Sequence, residues 1–147
     1  MAESDNLILM ELRKNSRMSL RDISRNTKVP VSTVFDKLRK LQEQVILKNT
    51  TLYDFAKLGC PLRVDYVIKV NDRMRDETRR MLMASQNVNS VFRTNNGHDY
   101  YVEAIFKDLK GIADFEEELA KQGAKSQMFH IIEELKREQF FTAPEML

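Results

Sequence analysis

Apolar residues recur at helical spacing over the first third of the chain and at strand spacing over much of the rest. Between Asp5 and Asn15, Ile8, Leu9 and Leu12 form one apolar stripe, and Asp5 stands where a helix cap belongs. Ser19 with Asp22 three residues later is a capping-box pattern. Leu20 and Ile23 then face inward on a second helix that ends near Asn26, and Thr27-Lys28-Val29 makes a turn. Pro30 suits the start of a third helix, where its missing N–H does no harm. On that helix Val31, Val34, Leu38, Leu41 and Val45 share one side, while Ser32, Thr33, Asp36, Lys37 and Lys40 share the other. Ile46-Leu47-Lys48 and Thr51-Leu52-Tyr53 fit a two-stranded wing around Asn49-Thr50, a weaker hairpin signal than Asn-Gly. Helix, turn, helix and wing in this order read as a winged helix-turn-helix, a module that sets one helix in the major groove of DNA.

From Leu62 the period changes to two. Leu62, Val64, Tyr66, Ile68 and Val70 alternate with Arg63, Asp65 and Lys69, as in a half-buried strand. Asp72 caps a helix reaching about Ser85, with Met74, Met81 and Leu82 inward. Val88 to Thr94 is a short strand, Asn95-Asn96-Gly97 a turn, and Tyr100, Val102, Ala104 and Phe106 mark the next strand. Asp108 caps a helix through Leu109, Ile112, Phe115 and Leu119, Gly123 ends it, and Gln127 to about Glu133 is a fourth strand. This β-α-β-β-α-β order is the ferredoxin-like split motif. The expected fold is therefore α+β, with a winged helix-turn-helix over 1–55, a linker over 56–61 containing Gly59-Cys60-Pro61, and a ferredoxin-like domain over 62–147. Two helices cover one sheet face. The other exposes some combination of Val67, Val91, Tyr101, Ile105, Phe129 and Ile131, which a homodimer through the sheets would bury. Glu138-Gln139-Phe140-Phe141 reads as one more short strand.

Charge sharpens this division. The net charge of +2 hides 11 Lys/Arg against 7 Asp/Glu in residues 1–60, and 13 against 15 in residues 61–147. A basic front and an acidic back fit a DNA-binding head on a body that avoids DNA. Ser32 and Thr33 can donate to phosphates or read bases, Lys37 and Lys40 can do either, and Arg21, Lys28 and Lys48 suit backbone phosphates. Asp36 repels phosphate; it either pairs with Lys40 at i,i+4 or accepts from a cytosine amino group. The single cysteine, Cys60, fits a reducing compartment. No apolar run approaches the roughly 20 residues of a membrane span, and MAESDN lacks the marks of a signal peptide. A soluble cytoplasmic protein is expected, with no membrane partner. His98 and His130 have no Cys or His at metal-ligand spacing, and there is no glycine-rich phosphate loop, nucleophile elbow or zinc motif. No metal, no cofactor and no enzymatic activity are expected.

The combined pattern resembles the Lrp/AsnC family of feast/famine transcription regulators over essentially the whole chain. The front rests on SLRDISRNTKVPVSTVFDKLRKLQEQVILK, particularly Ser32-Thr33-Val34 and Leu38-Arg39-Lys40-Leu41. The back rests on NNGHDYYVEAIFKDLKGIADFEEELAKQG, where Asp99-Tyr100 takes the place of the family's acidic-aromatic pair. The resemblance implies a homodimer, often assembled further, bound to palindromic double-stranded promoter DNA. In many members it also implies an amino-acid effector lying between dimers near the turn at Asn96–Asp99. Three positions depart from the family: Val45 and Asn96 where glycine is usual, and Asp36 where a basic residue is usual. In the effector reading, Asn96, Gly97, His98 and Asp99 supply backbone amides, an imidazole and a carboxylate, with Asp99 taking the ammonium. In the alternative, the turn is a tight hairpin whose polar groups satisfy their own backbone. Sirohaem decarboxylases share the two-module layout, but the basic front and polar third helix argue against that enzyme reading. A sensor whose head has lost DNA binding is a third reading.

Overall fold

The computed structural model describes residues 2–143, which form two compact units: 2–52 with 135–143, and 53–134. The last four residues of the expected second domain, 144–147, lie outside the described residues.

The first unit holds three helices, α1 Glu3–Lys14, α2 Leu20–Thr27 and α3 Val31–Gln44. Ile8, Ile23, Val34 and Leu41 are buried together at their centre. Each such side chain contributes roughly 1.5–3 kcal/mol through burial. Asp5 is not the cap of α1. It sits in the first turn, and its carboxylate accepts the Ala2 N–H at 3.0 Å. Ser19 does cap α2: its Oγ accepts the Asp22 N–H at 3.1 Å and donates to the Asp22 carboxylate at 2.6 Å. Lys28, at φ 61°, ends α2 in the left-handed region, and Pro30 stands one residue before α3.

Three expectations change in this unit. Val31 and Val45 are exposed instead of inward, because the core that Ile8 and Ile23 define meets α3 along Val34 and Leu41. Ile46 packs on this core in place of Val45. Residues 46–53 form no strands, and Leu47 is fully exposed. Asn49-Thr50 lacks the glycine that a two-residue hairpin favours, and nothing in the segment alternates into a core. Residues 138–141 form no strand either. Glu138 at φ 53° and Phe141 at φ 64° are outside the β region. The tail instead joins this unit through Arg13, which pairs with Glu138 and donates from Nε to the Phe140 carbonyl at 3.2 Å.

The second unit is a four-stranded antiparallel sheet with its first and third strands at the centre, the second and fourth at the edges, and two helices on one face. Its elements are β1 Leu62–Lys69, α4 Arg75–Ala84, β2 Val88–Arg93, β3 Tyr100–Phe106, α5 Leu109–Lys121 and β4 Lys125–His130. The sheet side of the core is Val64, Tyr66 and Ile68 of β1 with Val102, Ala104 and Phe106 of β3; Leu82, Ile112, Phe115 and Leu119 close it from the helices. Asn71, not Asp72, caps the entry to α4 through a short 3-10 turn at Asp72–Met74. Asp108 caps α5 as expected, accepting the Gly111 N–H at 2.9 Å, whereas Leu109 points to solvent. β4 begins two residues earlier than Gln127 because its pairing starts at Lys69↔Lys125. Val91 pairs with Val102 and packs on the helix-covered core, so Phe92, opposite Tyr101, holds the open face.

Candidate nucleic-acid interface, open sheet face and effector loop

Within the head, α3 turns Val34 and Leu41 inward and leaves an outward face of Ser32, Phe35, Asp36, Arg39 and Lys40. Ser32, Asp36 and Lys40 of the expected DNA-binding set stand exposed, and Thr33 is half-buried. Arg21 is exposed in the first turn of α2, Lys28 at the turn into α3, and Lys48 just beyond α3. Lys37 differs from the rest. Its Nζ donates to Asp5 at 2.6 Å, and its side chain is 26% exposed. That bond, then the one from the Ala2 N–H, holds the Asp5 carboxyl below its ordinary range. Lys37 thus ties α3 to α1.

Two outward residues escaped the sequence reading, Arg39 and Phe35. The signal was available: centring the helical wheel on Val34 and Leu41 alone, without Val31 and Val45, puts both on the solvent side.

In the second unit, the sheet face away from the helices is apolar around a charged centre. Val67, Phe92, Ile105 and Phe129 surround Asp65 and Glu103, which face each other across β1 and β3 and are each only 8% exposed. Like charges at that spacing repel. Arg63 pairs with both Glu103 and Glu134, the Asn89 amide donates to Glu103, and the Tyr101 hydroxyl donates to Asp65. Burial, then the hydrogen bond to Asp65, pushes the Tyr101 hydroxyl up to about 12.

At one end of this sheet lies the loop between β2 and β3. Asn96 at φ 60° and Gly97 at φ 91° make the turn, and both are exposed with His98. Asn tolerates the left-handed conformation better than most residues, so the replacement of glycine is accommodated. Asp99 is occupied within the fold. Its carboxylate accepts the Val70 N–H at 2.9 Å and the Arg75 Nε–H at 3.2 Å, and Arg75 also pairs with Asp72 at 2.6 Å. The Val70 bond, then Arg75, holds the Asp99 carboxyl below its ordinary range. His130 is an exposed residue at the end of β4. Among the described residues no group of His, Cys, Asp and Glu could hold a metal ion, and no helix is long and apolar enough to cross a membrane.

A family model for winged helix-turn-helix DNA-binding domains matches residues 1–44. A helix-turn-helix-type transcriptional regulator of Pyrococcus abyssi is 27% identical over 144 residues, covering 97% of this chain and 98% of that one. The structure of LrpC from Bacillus subtilis superposes with a TM-score of 0.86 at 23% identity, covering 92% of this chain and 97% of that one. A transcriptional regulator from Neisseria meningitidis in complex with L-Met superposes with a TM-score of 0.87 at 18% identity, covering 93% of each chain. The head is thus matched in sequence to winged helix-turn-helix DNA-binding domains, and the chain as a whole is similar to DNA-binding transcriptional regulators and shares the fold of LrpC.

Proposed function

We propose that this chain binds promoter DNA in the cytoplasm as a homodimer or larger homo-oligomer, through the outward face of α3. The observation that carries the reading is that Ser32, Asp36, Arg39 and Lys40 project from one face of a helix whose opposite side is locked into the head core. Arg21, Lys28 and Lys48, all exposed, supply phosphate contacts around that helix. The reading needs no catalytic step. Genomic footprinting would identify the bound sites, and titrations on one such duplex across a salt series would test the residues. Lys40→Ala is expected to weaken binding and lower the salt slope by about one counterion, and Arg39→Ala/Lys40→Ala by about two. An unchanged slope in the double variant refutes the assignment of this face.

The open sheet face supports association of two bodies, since its exposed Phe92 and Phe129 flank the half-buried Val67 and Tyr101. The loop Asn96, Gly97, His98 and Asp99 is the candidate effector site, and an amino acid is the candidate ligand because a structural neighbour holds L-Met. An ammonium reaching Asp99 must displace Arg75 or share the carboxylate with it. Calorimetric titration with the twenty amino acids tests this. Heat that disappears in Asp99→Asn supports the site, and silence from all twenty removes it.

A further inference from the structure

Phe35 is the one large aromatic on the outward side of α3, and it is 56% exposed. Its neighbours on the helix surface, three or four positions away, are Val31, Ser32, the half-buried Leu38 and Arg39. Val31 is exposed as well, so the N-terminal half of α3 carries a small apolar ridge beside Asp36. None of Val31, Phe35 and Asp36 can bind a phosphate. The cationic groups stand around them: Lys28 before the helix, Arg39 and Lys40 a turn further along. A face with cations at its margins and phosphate-incompatible groups at its centre fits backbone contacts at the rim and base edges in the middle. The N-terminal residues of a recognition helix are the ones that meet base edges.

A phenyl ring offers no hydrogen bond to a base edge. The apolar group that the major groove presents is the C5-methyl of thymine. We propose that Phe35 is a specificity-determining residue that packs on a thymine methyl and so selects a thymine at one position of each half-site. The proposal rests on the reading that α3 enters the major groove. It commits to DNA as the occupant, because two apolar side chains ringed by cations are too small a patch for a protein partner.

The test uses the full chain and a duplex that it selects from a randomised library. Each thymine of that duplex is replaced in turn by deoxyuridine, which keeps the base pair and removes only the methyl. At one thymine per half-site the wild-type protein should lose about fourfold in affinity, the loss expected for one buried methyl group. Phe35→Ala should be blind to that replacement and keep the wild-type salt slope. A selected site without thymine, a wild-type scan that is silent everywhere, or equal losses in wild type and Phe35→Ala would each overturn the assignment. In those cases tight, salt-dependent binding would still leave α3 as the DNA-reading helix. Failure to enrich any duplex, with no salt-dependent binding, would overturn both.

Discussion

Asp99 shows how much one side chain can hold. Its backbone N–H donates to the Ile68 carbonyl at 2.8 Å, and its carboxylate takes Val70 and Arg75, so it fastens the β2–β3 loop to the end of β1. Asp99→Asn is expected to destabilise the body by about 1–2 kcal/mol, the usual range for a hydrogen bond to a charged group, measurable by urea unfolding. The pH dependence follows from the direction of the shift. A carboxyl depressed by folding stabilises fully above its unfolded value, near 3.9, and that contribution is lost as pH falls through the lower folded value. Wild type should therefore lose stability below about pH 4 more steeply than Asp99→Asn does. Lys37 makes a parallel case in the head. Because it is paired to Asp5, Lys37→Ala should lower head stability while changing the salt slope of DNA binding less than Lys40→Ala does. Equal changes in slope would return Lys37 to the DNA surface.

At the scale of an element, α3 serves two masters. Its inward residues Val34 and Leu41 hold the three-helix core, and in the proposed reading its outward residues meet the groove. Leu41→Ala is expected to destabilise the head by about 2–5 kcal/mol, read as faster amide exchange in α3, with the sheet amides unaffected. The helix starts were legible in the sequence to within three residues. Ser19 and Asp108 cap as read, because a short oxygen-bearing side chain before an apolar run has one obvious use. Asp5 misled because its carboxylate serves the same helix from inside the first turn. The wing and the tail strand misled for another reason. Short apolar pieces such as Leu47 and Phe140 look like strands, but a strand needs a partner with unpaired backbone groups, and neither piece finds one in the described structure.

Over the whole molecule, the proposed homodimer makes its own prediction. Placing a charge on the open sheet face, as in Phe129→Asp, should lower the mass seen by light scattering of the full chain; an unchanged mass would argue against association through the sheets. Two heads on one dimer should protect half-sites about one helical turn apart, roughly 34–36 Å, in footprints of the bound DNA.

The sequence by itself determined the order and period of the helices and of the four sheet strands. Helical and strand periodicities are local, so alternation from Leu62 to Val70 and the inward pair Val34 and Leu41 on α3 could be read without knowing any neighbour. It also determined the pairing of a basic head with an acidic body, since charge balance needs no coordinates. Which polar residues remain available for a ligand was decided only by the tertiary structure. Lys37 and Asp99 look alike in sequence to Lys40 and Asp36, but the first two find partners brought close by folding, 32 residues away at Asp5 and 24 away at Arg75. The buried centre of the open sheet face was equally invisible, because Asp65 and Glu103 meet only when β1 and β3 pair in register. Contacts of that kind depend on where distant segments of chain are packed, and a one-dimensional pattern carries no record of it.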